Sequence, residues 1–125
     1  MKDHKDLDVW KVSMDLVMDI YQATGAFPRE EQYGLTGQLR RAAILISSNI
    51  SEGAARNTGK EFIQFLYIAS GSASELETQL IIAHKLKYIS EIDALLEKVT
   101  SVEKLLQGLI RYYKKKVKGL GIRDW

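Results

Sequence analysis

Apolar residues recur at intervals of three and four in four stretches of this chain, and nowhere alternate as a half-buried strand would. In the first stretch, Leu7 to Ala23, the residues Trp10, Met14, Val17 and Tyr21 keep helical spacing, and Asp6 is placed to cap the start. The segment TGAFPRE then carries Gly25 and Pro28, which interrupt a helix. The second stretch spans Leu35 to Ala54. At about 100° per residue, Leu39, Ala43, Ile46 and Ile50 share one narrow stripe, with Ile44 and Leu45 on opposite flanks of it.

The segment GAARNTG, Gly53 to Gly59, reads as a short connection. The third stretch, Lys60 to Tyr88, repeats Phe62, Leu66, Ala69, Ala73, Leu76, Leu80 and Ala83, and as one helix would be about 43 Å long. Ser90 and Asp93 resemble a capping box ahead of a fourth helix, Glu91 to Lys116. There Ile92, Leu95, Val99, Val102, Leu106, Leu109 and Tyr113 hold a coiled-coil-like pattern, and residues 117–125 are left as a flexible basic tail.

Four amphipathic segments with short connections predict an all-α fold, an antiparallel up-down four-helix bundle in a single domain of residues 1–125. If the chain reverses near Arg56, Ala42 and Ala43 lie level with Ala69 and Ser70. Small residues then face each other and the two backbones approach closely. Ile44, Leu45, Ile63, Tyr67, Ile81 and Ile82 lie off the stripes. Soluble monomers rarely expose contiguous apolar patches beyond a few hundred Å², so these six predict an interface between copies of the chain.

Composition removes several chemistries. With no cysteine there is no disulfide, thiolate nucleophile or cysteine-bound zinc. His4 and His84 stand in no Glu-x-x-His pair, and Glu75 and Glu77 point to different sides of a helix, so neither a metal nor a cofactor is expected. Gly53 to Gly59 lacks the Gly-Lys-Ser/Thr ending of a phosphate loop, and no Gly-x-Ser-x-Gly elbow is present. No catalytic residue emerges, and the chain is not expected to be an enzyme. The start, MKDHKDLD, is hydrophilic and no apolar run approaches about 20 residues, which predicts a cytoplasmic protein with no membrane partner.

The net charge of +2 matters through its distribution. Arg111, Lys114, Lys115, Lys116, Lys118 and Arg123 against Asp124 make the last fifteen residues +5, leaving −3 for the first 110. One reading is a cationic helix end that complements the helix dipole and stays solvated; the other is a polyanionic partner. The candidate phosphate contacts are nine: Arg40, Arg41, Arg56, Lys60, Arg111, Lys114, Lys115, Lys116 and Lys118. Arg40 and Arg41 serve different surfaces, and an ion pair with Glu75 or Glu77 competes with phosphate contact for them. Asn49 reads as a satisfied amide that fixes bundle register, and no aromatic-basic platform is visible.

The stretches LDVWKVSMDLV, YGLTGQLRRAAILISSNISEGAAR and KEFIQFLYIASGSASELETQL, with the helical tail, resemble the bacterial four-helix-bundle proteins named for intervening sequences in 23S ribosomal RNA, also called S23 ribosomal protein-like. The resemblance runs through nearly the entire chain. It implies a homo-oligomer, pentameric in the wider group. That group includes the accessory variability determinant of diversity-generating retroelements, which binds nucleic acid and a reverse transcriptase through a basic surface. Ser48, Ser51 and Leu45 depart from the usual pattern of proline, alanine and a smaller residue. The expected function is nucleic-acid binding, RNA or DNA, by a non-enzymatic oligomer. The alternative is a protein–protein scaffold that docks a reverse transcriptase or a ribosome-associated factor.

Overall fold

The computed structural model, which describes residues 3–119, contains four α-helices and no strand among those residues. They are α1 (Asp8–Thr24), α2 (Leu35–Ala54), α3 (Gly59–Lys85) and α4 (Asp93–Gly119), with 3-10 turns at His4–Asp6 and Arg29–Glu31. Side-chain bonds fix how the helices run. Ser13 meets Ser47 and Thr24 meets Arg40, so α1 and α2 are antiparallel. Gln38 meets Gln79 while Gly53 lies against Phe62 and Phe65, so α2 and α3 are antiparallel too. Ser70 with Glu103, and Phe62 with Tyr113, do the same for α3 and α4, and Lys98 with Asp19 closes α4 onto α1. The all-α four-helix bundle is the fold of the chain.

The interior is a column of fully buried apolar side chains from all four helices, among them Leu16, Ile20, Leu39, Ile46, Ile50, Phe62, Leu66, Leu76, Leu80 and Leu106. Each contributes on the order of 1.5–3 kcal/mol by leaving water, which outweighs the poor helix propensity of the Ser and Gly residues in α3. The stripe expected for α2 is the buried one, joined by Ala42.

The stripe expected for α1 is not. Val9, Ser13, Leu16, Ile20 and Thr24 face inward, whereas Met14 and Tyr21 are exposed. The buried hydroxyls are satisfied there: Ser13 Oγ donates to the Trp10 carbonyl at 2.7 Å and lies 2.9 Å from Ser47 Oγ. Thr24 Oγ1 donates to the Ile20 carbonyl at 2.7 Å. Nor does Asp6 cap α1. It sits in the 3-10 turn, and the Leu7 carbonyl accepts from the Trp10 and Lys11 amides instead.

One register and three helix boundaries also differ from expectation. Gln38 opposite Gln79 puts the α2–α3 reversal near Thr58, so Ala42 and Ala43 face the residues around Ala73 rather than Ala69 and Ser70. Helix α3 stops at Lys85. Lys87 adopts φ 66°, its amide bonds to the His84 carbonyl and the Tyr88 amide to the Ala83 carbonyl, which is the Schellman arrangement without a glycine. Ser90 and Asp93 form no capping box, because α4 begins at Asp93 itself and its first turn closes from the Leu96 amide to the Ile92 carbonyl. At its far end α4 continues to Gly119, so Val117 and Lys118 are helical rather than part of a tail. Arg123 and the rest of residues 120–125 lie outside the described residues.

Candidate nucleic-acid interface

Two glycines decide where the cationic end of the bundle sits. A Cβ on Gly53 would lie 2.6 Å from Phe65 Cβ and 2.8 Å from Phe62 Cδ1, so α2 ends in direct backbone approach to the start of α3. A Cβ on Gly59 would lie 2.8 Å from Val117 Cγ2 and 3.5 Å from Tyr113 Cδ1, so the last turns of α4 rest on the first turn of α3. Thr58 starts that turn, its hydroxyl accepting from the Glu61 amide at 3.1 Å. Tyr113 then packs edge-on against Phe62, ring centroids 4.9 Å apart, and burial raises its phenol pKa above the ordinary value, with Tyr112 adding to the effect.

This packing brings Lys60 beside the lysines of α4. A groove of about 630 Å³ between α3 and α4 is lined by Lys60, Ile63, Gln64, Tyr67, Lys114, Lys115 and Lys118, and no carboxylate is in its wall. Tyr67 is 46% exposed, with Lys114 Nζ 5.3 Å from its ring centroid. A neighbouring recess of about 200 Å³ holds Arg56 and Lys116 with Asn57, Thr58 and Gly59. Arg56 stacks over Phe65 at 4.8 Å and lies 3.8 Å from Glu52, while Lys116 is 5.9 Å from the rings of Tyr112 and Tyr113. Six of the nine candidate phosphate contacts therefore share one end of the bundle.

The other three do not join them. Arg111 lines the next stretch of the same seam, beside Glu77, Glu103 and Lys104, where the charge is mixed. Glu103 there is desolvated, which raises its carboxyl pKa; a hydrogen bond from Ser70 at 3.1 Å opposes the shift and Glu77 adds to it. Arg40 is committed to α1, its Nε donating to Thr24 Oγ1 at 2.9 Å and its guanidinium 4.4 Å over the Tyr21 ring. Arg41 is exposed. Neither arginine pairs with Glu75 or Glu77; Glu75 accepts from Gln79 instead. Both lie about 20 Å along the α2 axis from its last residue, Ala54, since each residue rises about 1.5 Å. Asn49 bonds the Leu45 carbonyl of its own helix at 2.7 Å, so it is satisfied but fixes no register between helices.

The six apolar residues assigned to a subunit contact scatter. Ile63 is 3% exposed and belongs to the core, because α4 covers that flank of α3. Tyr67 lies in the basic groove, and Leu45 is half-buried. Ile44, Ile81 and Ile82 are exposed, but Ile44 is on α2 and the adjacent Ile81 and Ile82 point about 100° apart around α3. The sequence reading missed the exposure of Met14, Met18 and Tyr21 on α1; Tyr21 lies under Arg40, one turn before Ile44 on α2. It also missed Tyr67 as part of the cationic groove, although Tyr67 follows Lys60 by seven residues and so shares its helix face.

With this geometry in place, the chain matches the family described as 23S rRNA-intervening sequence protein over residues 5–108. The chain belongs to the 23S rRNA-intervening sequence protein family. The matched part of the family takes in α1, α2, α3 and the first sixteen residues of α4. It stops short of Arg111, Lys114, Lys115, Lys116 and Lys118, so family membership carries no argument about them. The chain matches no curated protein. No described helix is long and apolar enough to cross a membrane.

Proposed function

We propose that this family member is a non-enzymatic, homo-oligomeric bundle that binds nucleic acid by phosphate contacts at the end where the α2–α3 turn meets the C-terminal turns of α4. One observation carries the reading: Lys60, Lys114, Lys115 and Lys118 line a single groove without a carboxylate, and Arg56 and Lys116 flank it. A groove with four lysines and no carboxylate in its wall accumulates polyanions in proportion to the phosphates it neutralises. In an oligomer the cluster repeats in each subunit. Support for self-association comes from Met14, Met18, Tyr21 and Ile44, an exposed apolar strip along α1 and α2.

The test is a salt titration of binding to labelled RNA and DNA. Four neutralised phosphates per site give a slope of log affinity on log salt of about −3 to −4. Replacing Lys114, Lys115 and Lys118 by Glu abolishes binding, while Arg41→Gln leaves it unchanged. Affinity that stays flat between low and moderate salt refutes the reading. The same apolar strip favours a second reading, a scaffold for a protein partner. A full-length chain that sediments as a monomer at micromolar concentration and ignores nucleic acid supports that alternative.

A further inference from the structure

The groove contains a residue that phosphate binding does not need. Tyr67 presents nearly half its surface between Lys60 and Lys114, and its hydroxyl has no hydrogen-bond partner among the described residues. A surface selected only to hold phosphates would put another cation or a small polar residue there. An aromatic face between cations suits a flat, apolar group that arrives with negative charges on both sides. We propose that the groove takes single-stranded nucleic acid, with one unpaired base stacked on Tyr67 and its flanking phosphates on Lys60, Lys114 and Lys118. The proposal rests on the phosphate-contact reading above and narrows it.

Three features select this occupant. In a duplex both faces of every base are covered by its neighbours, so Tyr67 would gain nothing from one. A single strand has free base faces, and stacking on an aromatic ring is tolerant of sequence. Next, Lys114 now holds a cation–π position 5.3 Å from the ring centroid. A base arriving there replaces one π contact by another and frees the ammonium for a phosphate oxygen. Finally, two copies of the chain cannot pair through this face symmetrically, because four lysines would confront four lysines with no carboxylate between them. Gln64 in the wall supplies both a donor and an acceptor for a base edge.

The experiment compares a labelled single strand of about a dozen nucleotides with its own duplex by fluorescence anisotropy, at matched salt. The proteins are full-length wild type, Tyr67→Ala and Tyr67→Phe, each checked for unchanged circular dichroism and sedimentation. Wild type binds the single strand more tightly than the duplex. Tyr67→Ala weakens the single strand about tenfold and leaves duplex affinity and the salt slope alone, while Tyr67→Phe stays within about twofold. A strand carrying 5-iodouridine photo-crosslinks at Tyr67. If Tyr67→Ala changes nothing and the Lys114, Lys115 and Lys118 replacements still abolish binding, the base stack is wrong and the phosphate reading survives. If neither nucleic acid binds, both fall. A free mononucleotide that binds as well as the strand, or polyglutamate that displaces the strand at equal charge, overturns the single-strand assignment.

Discussion

Replacing Gly53 by alanine tests the backbone approach that aligns α2 with α3, and Gly71 supplies the matched control. Both glycines are helical, so both substitutions gain helix propensity, about 1 kcal/mol in a helix interior and less at Gly53, which is next to last in α2. They differ in the space around the new methyl. At Gly71 nothing lies within 4 Å. At Gly53 the new Cβ meets Phe65 Cβ at 2.6 Å and Phe62 Cδ1 at 2.8 Å, far inside ordinary contact. Phe62 can tilt its ring, but a Cβ is fixed to its backbone, so α3 must retreat by about 1 Å to restore contact distance. Overpacking of this kind costs about 1–3 kcal/mol, and a backbone that must move belongs near the top of that range. Gly53→Ala is therefore expected to destabilise by about 2 kcal/mol, and Gly71→Ala to stabilise by about 1 kcal/mol. In urea, where the slope is about 1–3 kcal/mol per molar, the two midpoints separate by about 1–3 M. Circular dichroism at one protein concentration reads both, because self-association would make stability concentration-dependent. If the two variants shift in the same direction by the same amount, α2 and α3 do not meet at Gly53.

Ser13→Ala or Ser47→Ala each leaves a buried hydroxyl short of its partner and should cost about 1–2 kcal/mol. The double variant should cost no more than either single change, and urea midpoints for the three show whether the pair is coupled. Glu103 has its folded-state pKa raised by burial, so its favourable contribution is present below the ordinary carboxylate pKa and is lost as pH rises through the raised value. Glu103→Gln should therefore stabilise at neutral pH and much less near about pH 4; equal shifts at both would refute a buried carboxyl. Lys87→Gly should stabilise by about 0.5–1 kcal/mol in thermal unfolding, because glycine occupies the left-handed conformation at the end of α3 without the Cβ penalty.

What could be read from the sequence divides along a physical line. Helix α2 was legible in its bounds and its stripe, because Leu39, Ala43, Ile46 and Ile50 are all buried, with Thr36 and Ser47 the polar residues the pattern did not show. The inward face of α1 was misread by one position, or about 100° of rotation, since Ser13 and Thr24 are interior residues disguised as surface ones. Their hydroxyls are satisfied by carbonyls of α1 and by Ser47 and Arg40 of α2, and no pattern of apolar spacing records a hydrogen bond. The end of α3 was hidden for a similar reason: Lys87 takes the backbone conformation that a glycine usually announces.

The candidate site shows the same divide more sharply. All its cations were named from the sequence, but as one set of nine, and only packing separates them. Arg40 is spent on α1 and Arg111 on a mixed-charge seam, while Lys118 enters the groove because α4 runs on past Lys116. A signal for that extension was present in Val117, an apolar residue among lysines that a solvated tail would not need. It anchors the last turns of α4 on Gly59, and the anchoring in turn puts Lys114, Lys115 and Lys118 against Lys60 and Tyr67. The charge run alone says that something anionic is welcome. One buried valine says where.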